Sequence, residues 1–373
     1  VVQKRAHIIH LHSADIWRGA EKQLAYLIEG LSKEVFRQTL FCIEGSPIQQ
    51  HASERKWIYI PYKRVAGANL GLACKILQFT SKEQVDLIHI HDSHSLNAWW
   101  IARTLGVKTP AILHRRAHFP TGQDIFSRLK YKHPGIKKVI CVSENVRQMM
   151  LPLVKDESKL EVIFDAVDYT YFHDTTDCYP LEKHFPQSKG KFKVASIAAL
   201  VDHKDIPTFI NMAEEMIKNL GRKDIHFFII GEGILSNELK SLVDRKGLQK
   251  HITFTGFMKD MPAVMKSLDI YVFTSKSEAF GSTILESLSA GLPVVVTATG
   301  AGKEILRHGK DAWIADIGDF KSLAHYVNNL LTHHDMRNHM IFNGYQTAQS
   351  FSVNGYVQQM EAVYLSCINN ATS

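Results

Sequence analysis

A chain of 373 residues exceeds what one hydrophobic core usually supports, and 45% hydrophobic with 22% charged residues is the composition of an ordinary globular protein, here of two domains. The formal net charge of +7 favours acidic partners such as phosphates or anionic membrane surfaces, whereas basic residues not interleaved with aromatics on a recognisable module argue against nucleic acid. Cys42, Cys74, Cys141, Cys178 and Cys367 lack the paired spacing of a zinc site or disulfide framework and read as free thiols in a reducing cytosol; no apolar run reaches about 18 residues, so neither secretion nor membrane spanning is expected.

From the start of the chain, short β-branched runs recur: "AHIIHLHS", "TLFCIEG", "VDLIHIHD", "PAILHRR" and "KKVICVSE". Segments of helical period such as "EKQLAYLIEGLSKE" and "SLNAWWIARTLG" separate them, which predicts an α/β domain over residues 1–170 with a parallel sheet covered by helices. "HDTTDCYPLEKHFPQSKGK" breaks the alternation with Pro, Gly and charge, so a linker is expected near residues 168–190. A second series, "KVASIAAL", "IHFFIIGEG", "HITFTGF", "LDIYVFTS", "LPVVVTAT" and "DAWIADI", predicts another doubly wound domain over 190–351. The closing stretch 352–373 spaces Val353, Tyr356, Met360, Val363 and Tyr364 as one helix face that could pack on either domain.

Within the second series, "SEAFGSTILESLSAGLPVVV" (277–296) reads as a strand-to-helix turn with Glu278 and Glu286 on either side. Loops at the carboxyl ends of parallel strands carry ligands, and the N–H groups of Gly281, Ser282, Thr283 and Ile284 would attract an anion such as phosphate. Alternatively, Thr283 and Glu286 form a capping box and Glu286 merely reaches back to the backbone. A carboxylate such as Glu278 beside an anion site is unfavourable unless it binds hydroxyls or a developing positive charge, and a sugar supplies both. Earlier, "LIHIHDSHS" puts His89 and His91 on one strand face as a conceivable metal pair, but no third ligand stands at convincing spacing and no metal is expected. "TATGAGKE" is not a P-loop, because Glu304 follows Gly302-Lys303, and "IIGEGI" has too few glycines for a nicotinamide fingerprint.

"EAFGSTILE" followed by "SLSAGLPVV" resembles the paired-glutamate signature of the retaining glycosyltransferases of the GT-B fold, in the large family 4 or group 1 type. "WRGAEKQLAYL", "KKVICVSENV", "VIFDAVDYTYF" and "FSVNGYVQQMEAVY" extend the resemblance over nearly the whole chain. It implies two Rossmann-like domains facing a cleft, with the closing helix crossing back to the first. It also implies transfer of a sugar from a nucleotide-diphosphate sugar to a glycan or lipid-linked acceptor in polysaccharide or lipopolysaccharide synthesis, with no cofactor beyond the donor. Lys204 would neutralise the diphosphate, Glu278 meet the sugar, Glu286 the ribose, and His91 the sugar and acceptor. Gly19, Gly231, Phe257, Met258, Phe280, Gly281, Ser282 and Thr283 would complete the donor site. Apart from the resemblance, "HRR" closes a strand where a loop would face the cleft, so Arg115 and Arg116 would bind a phosphate or an acidic acceptor, or else form a plain solvated basic patch. Two departures stand out: Ala199 replaces the family arginine five residues before Lys204, with Arg115, Arg116 and His203 as candidate substitutes, and Asp165-Ala166 replaces Asn-Gly at the linker. A sugar-nucleotide epimerase, or a sugar-nucleotide-binding protein with little turnover, would share these features. The basic stretch 114–138 adds the expectation of a cytoplasmic protein held peripherally on an anionic membrane, or else of a plain solvated loop.

Overall fold

The computed structural model describes residues 5–64, 69–117 and 125–372. The chain divides into two compact units, Val1–Ala166 with Val353–Ser373, and Val167–Ser352.

The first unit is built on a parallel sheet of strands β1 (Ala6–Leu11), β2 (Phe36–Ile43), β3 (Tyr59–Tyr62), β4 (Leu87–Ile90), β5 (Ala111–Arg115), β6 (Ile136–Cys141) and β7 (Leu160–Val162), in the order β3-β2-β1-β4-β5-β6-β7. Runs such as Ile8, Ile9 and Leu11 are buried throughout rather than alternately, because helices cover both faces of a parallel sheet. The edges β3 and β7 lack the signal of the inner strands: β3 contains Pro61, which an edge tolerates, and β7 is three residues long. The closing helix, Val353–Thr372, belongs to this unit; its Tyr356, Met360 and Tyr364 share a core with Ile8, Leu87 and Ile140. Each such side chain stabilises the fold by roughly 1.5–3 kcal/mol, enough to decide which unit the helix joins.

The second unit carries β8 (Phe192–Ile197), β9 (Ile225–Ile230), β10 (Ile252–Gly256), β11 (Ile270–Phe273), β12 (Val294–Thr297) and β13 (Trp313–Ala315), in the order β10-β9-β8-β11-β12-β13. In both sheets the strand order reverses once, between β1 and β4 and between β8 and β11, and the loops leaving those strands bracket the crevice where such sheets bind ligands. The expected linker is folded into this unit: Phe172 and Leu181 are buried, Tyr179 N–H donates to Ala263 O at 2.9 Å, and Lys266 Nζ donates to His173 O at 2.9 Å. Its short helices carried too few residues to show a period.

Candidate functional site

At the reversal of the second sheet, the loops after β8 and β11 are laced together. Lys276 N–H donates to His203 O at 2.8 Å and Thr274 Oγ1 to Lys204 O at 3.1 Å. This places the Lys204 ammonium against the Glu278 carboxylate in a hydrogen-bonded ion pair with both side chains mostly shielded from solvent. Past Glu278 the helix Ser282–Ser289 begins, its N-cap Gly281 at φ +88°, a left-handed conformation that an L side chain adopts only at a cost. Thr283 is therefore inside the helix rather than capping it, and its Oγ1 accepts from Tyr271 OH at 2.9 Å, so the capping-box reading of Thr283 and Glu286 fails. Glu286 lies buried on this helix. Ile284 N–H donates to Gly281 O at 2.9 Å, which removes it from the expected anion-binding set of Gly281, Ser282, Thr283 and Ile284.

Beside this loop pair, a recess of about 520 Å³ is lined by Leu200, Gly231, Glu232, Gly233, Lys240 and Thr255, among others. Gly231 takes φ +130° and its backbone passes so near Ala198 that a Cβ would stand 2.1 Å from the carbonyl oxygen. Phe257 is 71% exposed, Met258 is buried, and Phe257 N–H donates to Glu232 Oε1 at 3.2 Å. Phe280 is buried with its ring 6.2 Å from that of Phe351.

The first unit repeats the plan. Gly19 opens the helix Gly19–Gly30, whose Glu21 accepts from Arg18 N–H at 2.7 Å and pairs with His12 Nε2 at 3.0 Å. Burial alone would raise the Glu21 carboxyl; His12 and the Arg18 N–H outweigh it and hold the group below its usual range. Asp92 caps the helix Ser93–Thr104 through Ser95 N–H at 2.8 Å and accepts Ser13 N–H at 2.8 Å, tying the loop after β4 to the loop after β1. On β1, β4 and β5 and just past the end of β4 lie the buried imidazoles of His10, His89, His114 and His91, all kept neutral: burial lowers His10 to about 4 and the others well below the usual range, with Arg116 adding to the effect on those three. Arg116 is itself buried, its Nε donating to Asp165 Oδ1 at 3.0 Å and Nη2 to Tyr356 OH at 2.9 Å.

Residues 17–171 match the family described as Glycosyltransferase Family 4, and residues 181–347 match Glycosyl transferases group 1. The chain belongs to the family 4, group 1 glycosyltransferases. Among curated relatives, the UDP-Gal:alpha-D-GlcNAc-diphosphoundecaprenol alpha-1,3-galactosyltransferase of Escherichia coli is 24% identical over 344 residues, 87% of each chain. The 2-deoxystreptamine N-acetyl-D-glucosaminyltransferase of Niallia circulans is 26% identical over 182 residues, spanning 48% of this chain and 46% of the relative. Among solved structures, Anabaena HepE in complex with UDP and glucose superposes with a TM-score of 0.81 at 20% identity, covering 97% of this chain and 100% of the other. These likenesses establish the GT-B fold.

In this glycosyltransferase the structure brings Lys204 to Glu278, gathers Ser282, Thr283 and Glu286 on one helix capped by Gly281, and sets Gly231 near Phe257 through Glu232. Gly19 and His91 lie on the first unit. Arg115 is buried and Arg116 is held by Asp165 and Tyr356, so the two do not form the plain solvated patch that is the alternative to an acceptor or phosphate site. In the basic stretch 114–138, Lys130 Nζ donates to Asn97 Oδ1 at 2.7 Å and keeps its charge, Lys138 pairs with Glu161 at 3.2 Å, and residues 118–124 lie outside the described residues. The expectation of no third metal ligand is corrected, since His10 pairs in register with His89 and stands with His89 and His91 as a group of metal-ligand spacing. Sequence reasoning missed His10, Glu21, Asp92 and Glu232; only Asp92 had a local signal, as a capping residue before a helix. Among the described residues no helix is long and apolar enough to cross a membrane.

Proposed function

We propose that this glycosyltransferase moves a sugar from a UDP-sugar to a glycan or lipid-linked acceptor, with retention at the anomeric carbon and without a bound metal, in cell-surface polysaccharide or lipopolysaccharide synthesis. The observation that carries the reading is the Lys204–Glu278 pair beside the N-terminus of the helix Ser282–Ser289, at the strand-order reversal of the second sheet. A diphosphate competes for that ammonium and for the N–H groups at 281–283, while sugar hydroxyls compete for the carboxylate. As the glycosidic bond breaks, charge builds on the leaving phosphate, and a fixed cation with oriented N–H groups stabilises it without reorganisation. The leaving phosphate then takes the acceptor proton on the face it departs from, so no side chain serves as nucleophile. Glu286 is assigned to the ribose, His91 to the sugar, and Gly19 to the diphosphate.

UDP as the nucleotide rests on the neighbour solved with UDP and on the relative named for UDP-Gal. The lipid-linked acceptor class rests on that relative's diphosphoundecaprenol substrate, and it agrees with a cytoplasmic enzyme working peripherally at a membrane. No family match or reported relative is an epimerase, so that reading is set aside. The test is UDP release from a panel of UDP-sugars with calorimetry of UDP itself. Release with inverted product would overturn retention, binding without release would leave a non-catalytic binder, and no UDP binding would overturn the reading altogether.

A further inference from the structure

A line of buried and half-buried polar groups crosses the first sheet from β2 to the end of β5. Gln38 Nε2 donates to Ile28 O at 3.0 Å, which turns Gln38 Oε1 toward His10 Nε2 at 3.1 Å. A carbonyl oxygen only accepts, so the single N–H of a neutral His10 is on Nε2 and its Nδ1 is a lone pair. That lone pair faces His91 Nε2 at 3.1 Å, and the contact is a hydrogen bond only if His91 carries its proton there. At the far end, Arg116 Nη1 stands 3.5 Å from His91 Nδ1, and a guanidinium only donates. Both ends therefore impose the same tautomer on His91: Nε2–H, with the lone pair on Nδ1 facing Arg116.

The same rings could be read as a metal site, since His10, His89 and His91 offer nitrogens within 4.8 Å of one another. A cation there would take the Nε2 lone pair of His91 and move its proton to Nδ1, against the Arg116 N–H. It would also add two charges, on neutral ligands, to a buried region that already holds a guanidinium. The hydrogen-bond chain has neither defect.

We propose that Gln38 and His10 are positioning residues that hold His91 in the Nε2–H tautomer, so that its Nδ1 accepts a hydroxyl of the transferred sugar. This rests on the reading above that His91 meets that sugar. The Nη1 contact is the longest of the three that Arg116 makes, against 3.0 Å to Asp165 and 2.9 Å to Tyr356, so Nδ1 is the weakly served end of the chain. A hydroxyl donating at about 2.8 Å makes the better bond and leaves Arg116 its other two partners. The tautomer makes His91 select for a hydroxyl as donor, and a fixed one costs nothing to reorganise on binding.

The test uses the full chain labelled with ¹⁵N-histidine, read by long-range ¹H–¹⁵N correlation near neutral pH, with His91 assigned from His91→Asn. The expected result is a protonated Nε2 and bare Nδ1 on His91. His10→Leu and, independently, Gln38→Leu should mix the tautomers, while His10→Asn, whose side-chain oxygen can take the place of Nδ1, should restore the single one. In the same variants KM for a UDP-sugar that the wild type hydrolyses should rise on the order of 10-fold, kcat should fall less, and His10→Asn should recover most of the loss. A proton on Nδ1 in the wild type, an unchanged tautomer in both leucine variants, or histidine signals shifted by one bound equivalent of added Zn²⁺ would overturn the relay. Mixed tautomers with unchanged KM would overturn its role toward the sugar. If the wild type releases UDP from no UDP-sugar, the functional reading fails, while the tautomer measurement still decides the relay.

Discussion

Acid should unfold the first unit through its histidines, and the size of the effect follows from their burial. His10 titrates at about 4 in the folded chain against an ordinary 6.5, so it stays bare in the native state at a pH where the unfolded chain has taken a proton. The folded pKa is the depressed one, so the associated stability is complete above 6.5 and is lost as pH falls toward 4. Between about pH 7 and pH 5 this single group removes roughly 2 kcal/mol. His89, His91 and His114 act in the same direction, because burial strips each of them of water and the Arg116 guanidinium adds to the effect. Four imidazoles protonated only on unfolding give a slope approaching 5 kcal/mol per pH unit near pH 5, a large share of the ~5–15 kcal/mol that holds a domain together. Urea denaturation of Trp313→Phe, whose remaining tryptophans all lie in the first unit, measures this slope directly. His114→Leu should make it shallower by about 1.4 kcal/mol per pH unit and lose no hydrogen bond, since neither ring nitrogen of His114 has a partner. A slope corresponding to less than one proton would refute the reasoning.

Lys204→Ala should cut UDP-sugar turnover by about 100-fold or more with the melting transition little changed, and a near wild-type rate in the folded variant would remove Lys204 from the mechanism. In calorimetry, Glu286→Ala should weaken UDP and UDP-sugar alike, whereas Glu278→Ala should weaken only the UDP-sugar; equal effects would reject the division of roles. Gly231→Ala drives a Cβ to 2.1 Å from the Ala198 carbonyl oxygen at φ +130°, so the second unit, followed through Trp313, should lose about 2–4 kcal/mol. Flotation with anionic and neutral vesicles tests peripheral binding through Arg128, Lys130 and Lys132: replacing all three by Ser should abolish salt-sensitive binding, and a protein that never floats ends the membrane reading.

The sequence by itself determined the two doubly wound domains, because parallel strands buried on both faces leave apolar runs and their helices leave a 3.6-residue period, both written by near neighbours. The loop at 277–283 was legible for the same reason: Glu278, Gly281 and the helix that follows are adjacent in the chain. The family pattern singled out Lys204 and Glu278 separately, one for the diphosphate and one for the sugar; that they pair with each other, 74 residues apart, is seen only in the fold. Tertiary structure alone decided the rest. Pro61 and the shortness of β7 hid the edge strands, and the closing helix, whose own spacing fitted either domain and which the resemblance sent back to the first, packs on Ile8, Leu87 and Ile140. Arg116 looked like a surface cation until Asp165 and Tyr356 closed around it, which also gives the departure at Asp165 a physical reason. His10 stands 81 residues from His91, and nothing near either one announces the other; the pairing of β1 with β4 brings them within a hydrogen bond, because strand order is fixed by which apolar faces can be buried together and not by any local preference of the chain.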